Sequence, residues 1–178
     1  MKDIDRILLA HGGGGALTRE LIAEVLLASL GRNADGLPDA AAVPGVEGLV
    51  FTTDSFVVKP LFFRGGDIGS LSVHGTVNDL AVSGAKPVAL SMGLIIEEGF
   101  AIDTLARIVR SAATAAELSE VQIVTGDTKV VARGEADQLF INTAGVGIRQ
   151  TTSDPKSLKP GDVVLINGPI AEHGIAVM

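Results

Sequence analysis

The stretch that decides the fold runs PVALSMGLII from Pro87 to Ile96, EEGFA from Glu97 to Ala101, IDTLARIVRSAATAAEL from Ile102 to Leu118, and SEVQIVTGDTK from Ser119 to Lys129. Its first block is a strongly apolar run that reads as a strand. In the helical block Ile102, Leu105, Ile108, Val109, Ala112 and Ala116 recur at three- and four-residue spacing. That stripe predicts a helix over 102–118. Val121-Gln122-Ile123-Val124 then reads as a second strand entering Gly126-Asp127.

Toward the C-terminus, Leu139-Phe140-Ile141-Asn142-Thr143 reads as a strand reaching Gly147. Residues 150–160, with Pro155 and Pro160, read as a linker, and Val163 to Asn167 as a last strand. Toward the N-terminus, Gly65-Gly66-Asp67 opens a helix through Ile68, Leu71 and Leu80 that ends near Gly84. Leu49-Val50-Phe51-Thr52-Thr53 is a strand ending at Asp54. Phe56-Val57-Val58 continues it or pairs with it, up to the limit set by Pro60. Residues 31–47 carry Gly, Pro, Asn and Asp and read as a loop. Leu17, Leu21, Ile22, Val25 and Leu26 mark a first helix that stops near Gly31. Before it come His11 and the run Gly12-Gly13-Gly14-Gly15. No internal repeat is present. The order of elements predicts an α/β (α+β) chain built on a mixed sheet with helices packed on one face.

Composition narrows the function classes. Hydrophobic residues make up 47% and aromatics 3%, all of them Phe, so Val, Leu, Ile and Ala must build the core. A net charge of −7 argues against a nucleic-acid binder, which needs clustered Lys and Arg. Without cysteine there is no disulfide, no thiolate zinc site and no cysteine nucleophile in this chain. The apolar stretches fall short of a membrane span and the amino terminus lacks a signal-peptide pattern, so a soluble cytoplasmic protein is expected.

Three aspartates stand out. Asp54 and Asp127 are placed at strand ends and Asp79 on the second helix, each beside Thr, Ser or Asn. Magnesium takes hard oxygen ligands and shares them with substrate phosphates, so carboxylates gathered at one rim of a sheet suit it. Turn and capping roles are the alternative for each Asp. A glycine run leaves backbone N–H groups free for phosphate oxygens, and a following helix N-terminus favours anions. Gly12–Gly15 is therefore either a phosphate cradle or a flexible connection; it is neither a Walker loop nor a dinucleotide fingerprint. Lys129 shares a face with Asp127 if that strand continues, which places a cation for phosphate beside a metal carboxylate, or else makes a surface salt bridge. Ser72, Gly75 and Thr76 read equally as site residues or as small packing residues. His11 is placed near phosphate, His74 as a packing or hydrogen-bonding residue, and no zinc cluster is expected among His11, His74 and His173.

Taken together, His11–Gly15, Thr52–Val58, Pro60–Gly69, Gly75–Ala85, Glu97-Glu98-Gly99 and Val124–Val131 resemble the hydrogenase maturation family HypE, in the right order and over nearly the whole chain. HypE is grouped with aminoimidazole ribonucleotide synthetase, selenophosphate synthetase and thiamine-phosphate kinase. The resemblance implies an ATP-binding domain over 1–150 that dimerises through its sheet, with ATP at the dimer interface. It implies magnesium on Asp54, Asp79 and Asp127, with Gly12, Gly13, Gly14, Gly15, Ser55, Phe56, Thr76, Asn78 and Lys129 at the nucleotide. Lys129 and Asp79 take the catalytic roles. The implied reaction is ATP-dependent dehydration of a C-terminal S-carboxamide to a thiocyanate, which supplies cyanide for the iron of [NiFe]-hydrogenase. HypF is the implied carbamoyl donor and the HypC–HypD complex the cyanide acceptor. The family's acceptor cysteine stands at its extreme C-terminus and this chain has none, so residues 151–178 are expected to be a linker and the first strand of a truncated C-terminal domain. Two alternatives remain: another ATP-using enzyme of the same superfamily, and a non-catalytic dimerisation or docking module.

Overall fold

The computed structural model describes residues 6–31, 38–151, 158–166 and 168–178. They fall into two compact units, 1–38 and 39–178. The first holds a 3-10 turn at Leu9–Gly12, helix α1 at Ala16–Glu20 and π-helical turns at Leu21–Leu27. Gly31 follows with a positive φ of 64°, at the expected stop.

The second unit is built on a sheet of β1 (Ala41–Ala42), β2 (Leu49–Phe56), β5 (Ala85–Glu97), β6 (Gln122–Val131) and β7 (Leu139–Arg149), in the order β1-β2-β7-β5-β6. All neighbours are antiparallel except β5 and β6, which run parallel and are joined by α3 (Ile102–Leu118). A parallel pair needs such a crossover, and the stripe read in the sequence supplies it. Between β2 and β5 come a small hairpin, β3 (Phe62–Phe63) with β4 (Gly66–Asp67), and helix α2 (Ile68–Val82). Asp67 caps α2: its carboxylate accepts the N–H of Gly69 (2.8 Å) and of Ser70 (3.1 Å).

Both long helices cover one face of the sheet. Ile68, Val73, Ile108 and Ala112 from the helices meet Leu90, Leu139 and Ile141 from the strands, all at most 1% exposed. Helix α2 approaches the strands through small residues rather than an apolar stripe. A Cβ at Gly145 would come within 2.9 Å of both Leu90 and Thr76 side chains, and a Cβ at Gly69 would strike the Ile108 carbonyl oxygen at 2.3 Å. Only hydrogen fits at either contact. At the far end of β5 the Glu97 carboxylate accepts N–H groups from Gly134 (2.6 Å) and Gln138 (3.0 Å). Those two bonds hold its pKa below the usual value and fasten the β6–β7 loop across the end of β5.

Several expectations need correction. Strand β2 runs on to Phe56 and β6 to Val131, so Asp54 and Asp127 lie inside strands rather than at their ends. The cause is continued ladder pairing: Asp54 is opposite Thr143 and Asp127 is opposite Gly93. Val163–Ile166 form no strand, having no partner to pair with among the described residues; these four side chains are 66–90% exposed. Asn167 and 152–157 of the expected linker lie outside the described residues. A short helix α4 (Glu172–Val177) was not expected; His173 before its middle meets the Phe63 ring edge-on at 5.7 Å. No described helix is long and apolar enough to cross a membrane.

Candidate functional site

Strand periodicity sorts the candidate residues onto two faces. On β2, Thr52, Asp54 and Phe56 point toward the helices, while Thr53 and Ser55 point away. Asp79, near the end of α2, lies over the same end of β2. Its Oδ2 accepts the Thr52 hydroxyl at 2.9 Å, and the same hydroxyl lies 2.7 Å from the Asp39 carbonyl oxygen. A hydroxyl has one proton, so the two acceptors share it. Asp54 is half-buried, and its pKa is raised first by that burial, then by the charges of Asp79 and Asp39. Among the described residues, no Lys, Arg or His pairs with any of these three carboxylates. Gly75 makes room for the arrangement: a Cβ there would strike the Phe56 ring at 2.8 Å and lie 3.6 Å from Asp54 Oδ2.

On the uncovered face the charges are balanced. Lys129 Nζ lies 3.0 Å from Asp127 Oδ2, with both side chains 69% exposed. Strand β6 does continue, and the two residues share a face as expected. Asp127 has its pKa lowered, first by the hydrogen bond from Lys129, then by the Thr128 backbone N–H. Across the sheet, Asp127 lies in one row with Gly93, Asn142 and Ser55. The Asn142 amide nitrogen donates to the Asp54 carbonyl (2.9 Å) and the Ser55 hydroxyl (3.0 Å). These residues, with Val57, Leu94, Ile95 and Phe140, line an open cavity of about 350 Å³.

The structure therefore brings Asp54 and Asp79 together, adds Asp39, and leaves Asp127 elsewhere. Strands β7 and β5 lie between β2 and β6, so three interstrand spacings put Asp127 about 14 Å away laterally, on the other face. Among the described residues no three acidic or histidine side chains converge closely enough to hold one ion by themselves. Of the other candidates, Asn78 is exposed on α2 and Ser55 is exposed on the open face. Phe56 is half-buried beneath Gly75. Thr76 is fully buried: its hydroxyl meets that of Thr143, which in turn donates to the Ser72 carbonyl at 3.0 Å. Thr76 faces the sheet because α2 packs there. Ser72 is likewise buried, bonded to the Gly69 carbonyl at 2.8 Å.

In the first unit the glycine run ends the 3-10 turn and leads into α1. A Cβ at Gly12, Gly14 or Gly15 would meet nothing within 4 Å. The Gly14 N–H donates to the Thr18 hydroxyl at 2.9 Å. Sequence reading passed over two residues of the candidate site. Asp39 sat in a stretch read as loop. Asn142 sat inside an apolar strand, where its alternation against Ile141 and Thr143 was the available signal.

Fold and site together define an AIR-synthase-related N-terminal domain: the family model of the AIR synthase related protein, N-terminal domain, matches residues 38–149. Carbamoyl dehydratase HypE of Cupriavidus necator is 48% identical over 97% of this chain and 51% of its own length. A crystallised HypE–HypF complex contains a chain with 48% identity and a TM-score of 0.79, covering 92% of this chain and 52% of that one. Hydrogenase maturation protein HypE in complex with ATP matches at 46% identity and a TM-score of 0.59, over 82% of this chain and 44% of that one. The chain belongs to the AIR synthase related family and is similar over nearly its whole length to the N-terminal half of HypE. It spans about half the length of the curated relatives it matches.

Proposed function

We propose that this chain is the ATP-binding part of a carbamoyl dehydratase, acting in hydrogenase maturation, and that Asp54 and Asp79 would take its magnesium together with phosphate oxygens and water. The observation that carries the reading is a group of carboxylates with no cationic partner among the described residues, one of them with a raised pKa. Carboxylate oxygens are the hard donors magnesium prefers, and phosphates and water complete its shell, so a tight protein cage is not required. A relative crystallised with ATP supports the nucleotide.

The proposed chemistry begins on a carbamoyl group carried as a thioester-like S–C(=O)NH2. Its oxygen attacks the γ-phosphorus of ATP, and ADP leaves. Loss of the phosphorylated oxygen as phosphate, with the two nitrogen protons, leaves S–C≡N. Phosphorylation turns a poor oxygen leaving group into a good one. When bound, magnesium neutralises charge on the transferred phosphoryl group. Lys129 would contact phosphate oxygens, and Asp79 and Asp54 would hold the cation that neutralises the polyphosphate. Ser55 and Asn78 line the nucleotide. HypF supplies the carbamoyl group, as the HypE–HypF complex of a relative suggests. HypC–HypD accepts the cyanide, in the cytoplasm.

The chain works as a homodimer through the open face of its sheet. Phe51, Ile95 and Ile148 are 42–46% exposed, an apolar surface of the kind that marks an interface. Calorimetric titration of ATP with and without magnesium tests the reading. Magnesium-dependent binding that is lost in Asp79→Asn supports it, and binding that ignores both magnesium and Asp79 removes it.

A further inference from the structure

Asn142 stands on the open face with half of its amide already committed. Its Nδ2 lies 2.9 Å from the Asp54 carbonyl oxygen and 3.0 Å from the Ser55 hydroxyl, with the Thr53 hydroxyl farther off at 3.4 Å. A carbonyl can only accept, so the atom facing it is the nitrogen and the orientation of the amide is fixed. An NH2 group can only donate, so Ser55 Oγ accepts here and its own proton is free to point elsewhere. Among the described residues, Ser55 Oγ donates to no group and Asn142 Oδ1 accepts from none. The amide is planar, so with Nδ2 turned to β2 its Oδ1 turns away from that strand. On the β5 side the paired residue is Gly93, where an added Cβ would lie 4.0 Å from the Asn142 Cβ. Glycine thus leaves the floor open between Asn142 and Asp127, inside the cavity of about 350 Å³. Every residue lining that cavity belongs to the 39–178 unit.

We propose that Asn142 and Ser55 form a subsite for a neutral primary carboxamide, the carbamoyl group of the substrate; this rests on the dehydratase reading above. The Ser55 O–H donates to the carbamoyl oxygen, and Asn142 Oδ1 accepts from the carbamoyl N–H. The pair selects by what it offers. A carboxylate or phosphate brings no N–H for Oδ1, and an ammonium or guanidinium brings no acceptor for the hydroxyl. A carboxamide carries both on one carbon. Drawing its N–H toward Oδ1 raises electron density on the carbonyl oxygen, the atom that attacks phosphorus. The Asp127–Lys129 pair lines the same cavity, so the cation read as a phosphate contact borders the group to be phosphorylated. Asn142 is thus a binding residue for the substrate, and it fixes the Ser55 hydroxyl as a donor. Adenine also presents an acceptor beside an N–H, and the experiment separates the two sources.

The probe is S-methyl thiocarbamate, titrated without nucleotide into the full 178-residue chain and followed by nitrogen–proton NMR. S-methyl thioacetate, which keeps the carbonyl oxygen and lacks the N–H, is the control. The thiocarbamate is expected to shift the Asn142 side-chain amide signals and to bind about fivefold more tightly than the thioacetate, the effect of one neutral hydrogen bond. Ser55→Ala is expected to weaken thiocarbamate binding by about the same factor, and Ser55→Thr, which keeps a hydroxyl, to recover it. Asn142→Ala is expected to bind the two probes equally, with thermal unfolding recorded because its bonds to β2 are lost as well. Equal affinity of the unaltered chain for both probes, or Asn142 signals that do not move, overturns the inference. For adenine, ATP–Mg and inorganic tripolyphosphate–Mg are titrated into the unaltered chain and into Asn142→Ala. The same factor of change for both is expected; a loss confined to ATP assigns the pair to adenine and overturns the carbamoyl subsite. Thiocarbamate binding as expected, in a chain that does not bind ATP–Mg, supports the subsite and overturns the nucleotide reading alone.

Discussion

The two faces of the sheet carry the same kind of side chain in opposite electrostatic states. On the helix-covered face, Asp54 lies beside Asp79 and Asp39 with no counter-cation among the described residues, and burial pushes its carboxyl pKa up. On the open face, Asp127 lies in water with Lys129 at 3.0 Å and its pKa goes down. The first arrangement holds like charges together, which a divalent cation would relieve; the second is already neutralised. An aspartate's sequence neighbourhood did not distinguish these states. Packing against α2 and strand parity did.

The comparison first requires that the covered face be a packed layer. Ile108 is 1% exposed, sits in the main core, and supports α2 at Gly69. Ile108→Ala is expected to cost about 3–4 kcal/mol by urea unfolding, from lost transfer energy and a cavity. A cost under about 1 kcal/mol would mean that α2 and α3 do not seal this face.

The next largest effect falls on the ligand. Asp79→Asn is expected to weaken ATP–Mg binding about 100-fold, or ~2.7 kcal/mol, with the unfolding midpoint unchanged or raised. The rise follows from removing a like charge beside Asp54. A large fall in the midpoint would instead assign Asp79 a structural role through Thr52.

The pH dependence separates the faces directly. The Asp54 pKa is raised in the folded state, so its contribution to stability is full below the unfolded carboxylate value and is lost as pH rises through the folded value. Protons and magnesium compete for it, so ATP–Mg affinity is expected to fall on acidification in a window above the ordinary carboxylate range. Asp54→Asn should flatten the stability change across that window. Asp127 has the opposite sign: what it contributes is present above the ordinary carboxylate value and is lost as pH falls through its lowered pKa. Calorimetry and unfolding across the acid range check both signs.

Much of this architecture was legible. Helix α3 shows its apolar stripe in sequence and spans Ile102–Leu118, the residues read from it. The mixed sheet with helices on one face followed from the order of elements. Helix α2 was harder, because the residues it turns to the sheet, Gly69, Ser72 and Thr76, are small or polar and do not register as an apolar stripe. Their burial depends on Gly145 and Thr143, far along the chain. The shared face of Asp127 and Lys129 was legible from period-two alternation. The opposition of that face to Asp54 was not, because it depends on strand order and on a register shift between Leu90 and Ser91.

The subtlest test asks whether the two faces serve one site. In Asp127→Asn the fold should be unaffected, because an exposed ion pair contributes little to stability, while ATP–Mg affinity falls. That loss alone does not say which copy of the chain Asp127 serves. Mixing does. If Asp127 completes the partner's site, an equal mixture of Asp79→Asn and Asp127→Asn chains forms mixed dimers in which both substitutions fall in one site and the other site is intact. Random pairing makes half the dimers mixed, so about a quarter of the sites should regain full affinity. If Asp127 acted within its own chain, every site in the mixture would carry a substitution and no tight-binding fraction would appear. Calorimetry of the mixture after subunit exchange reads that fraction directly, and its absence would return the open-face pair to the role of a solvated salt bridge.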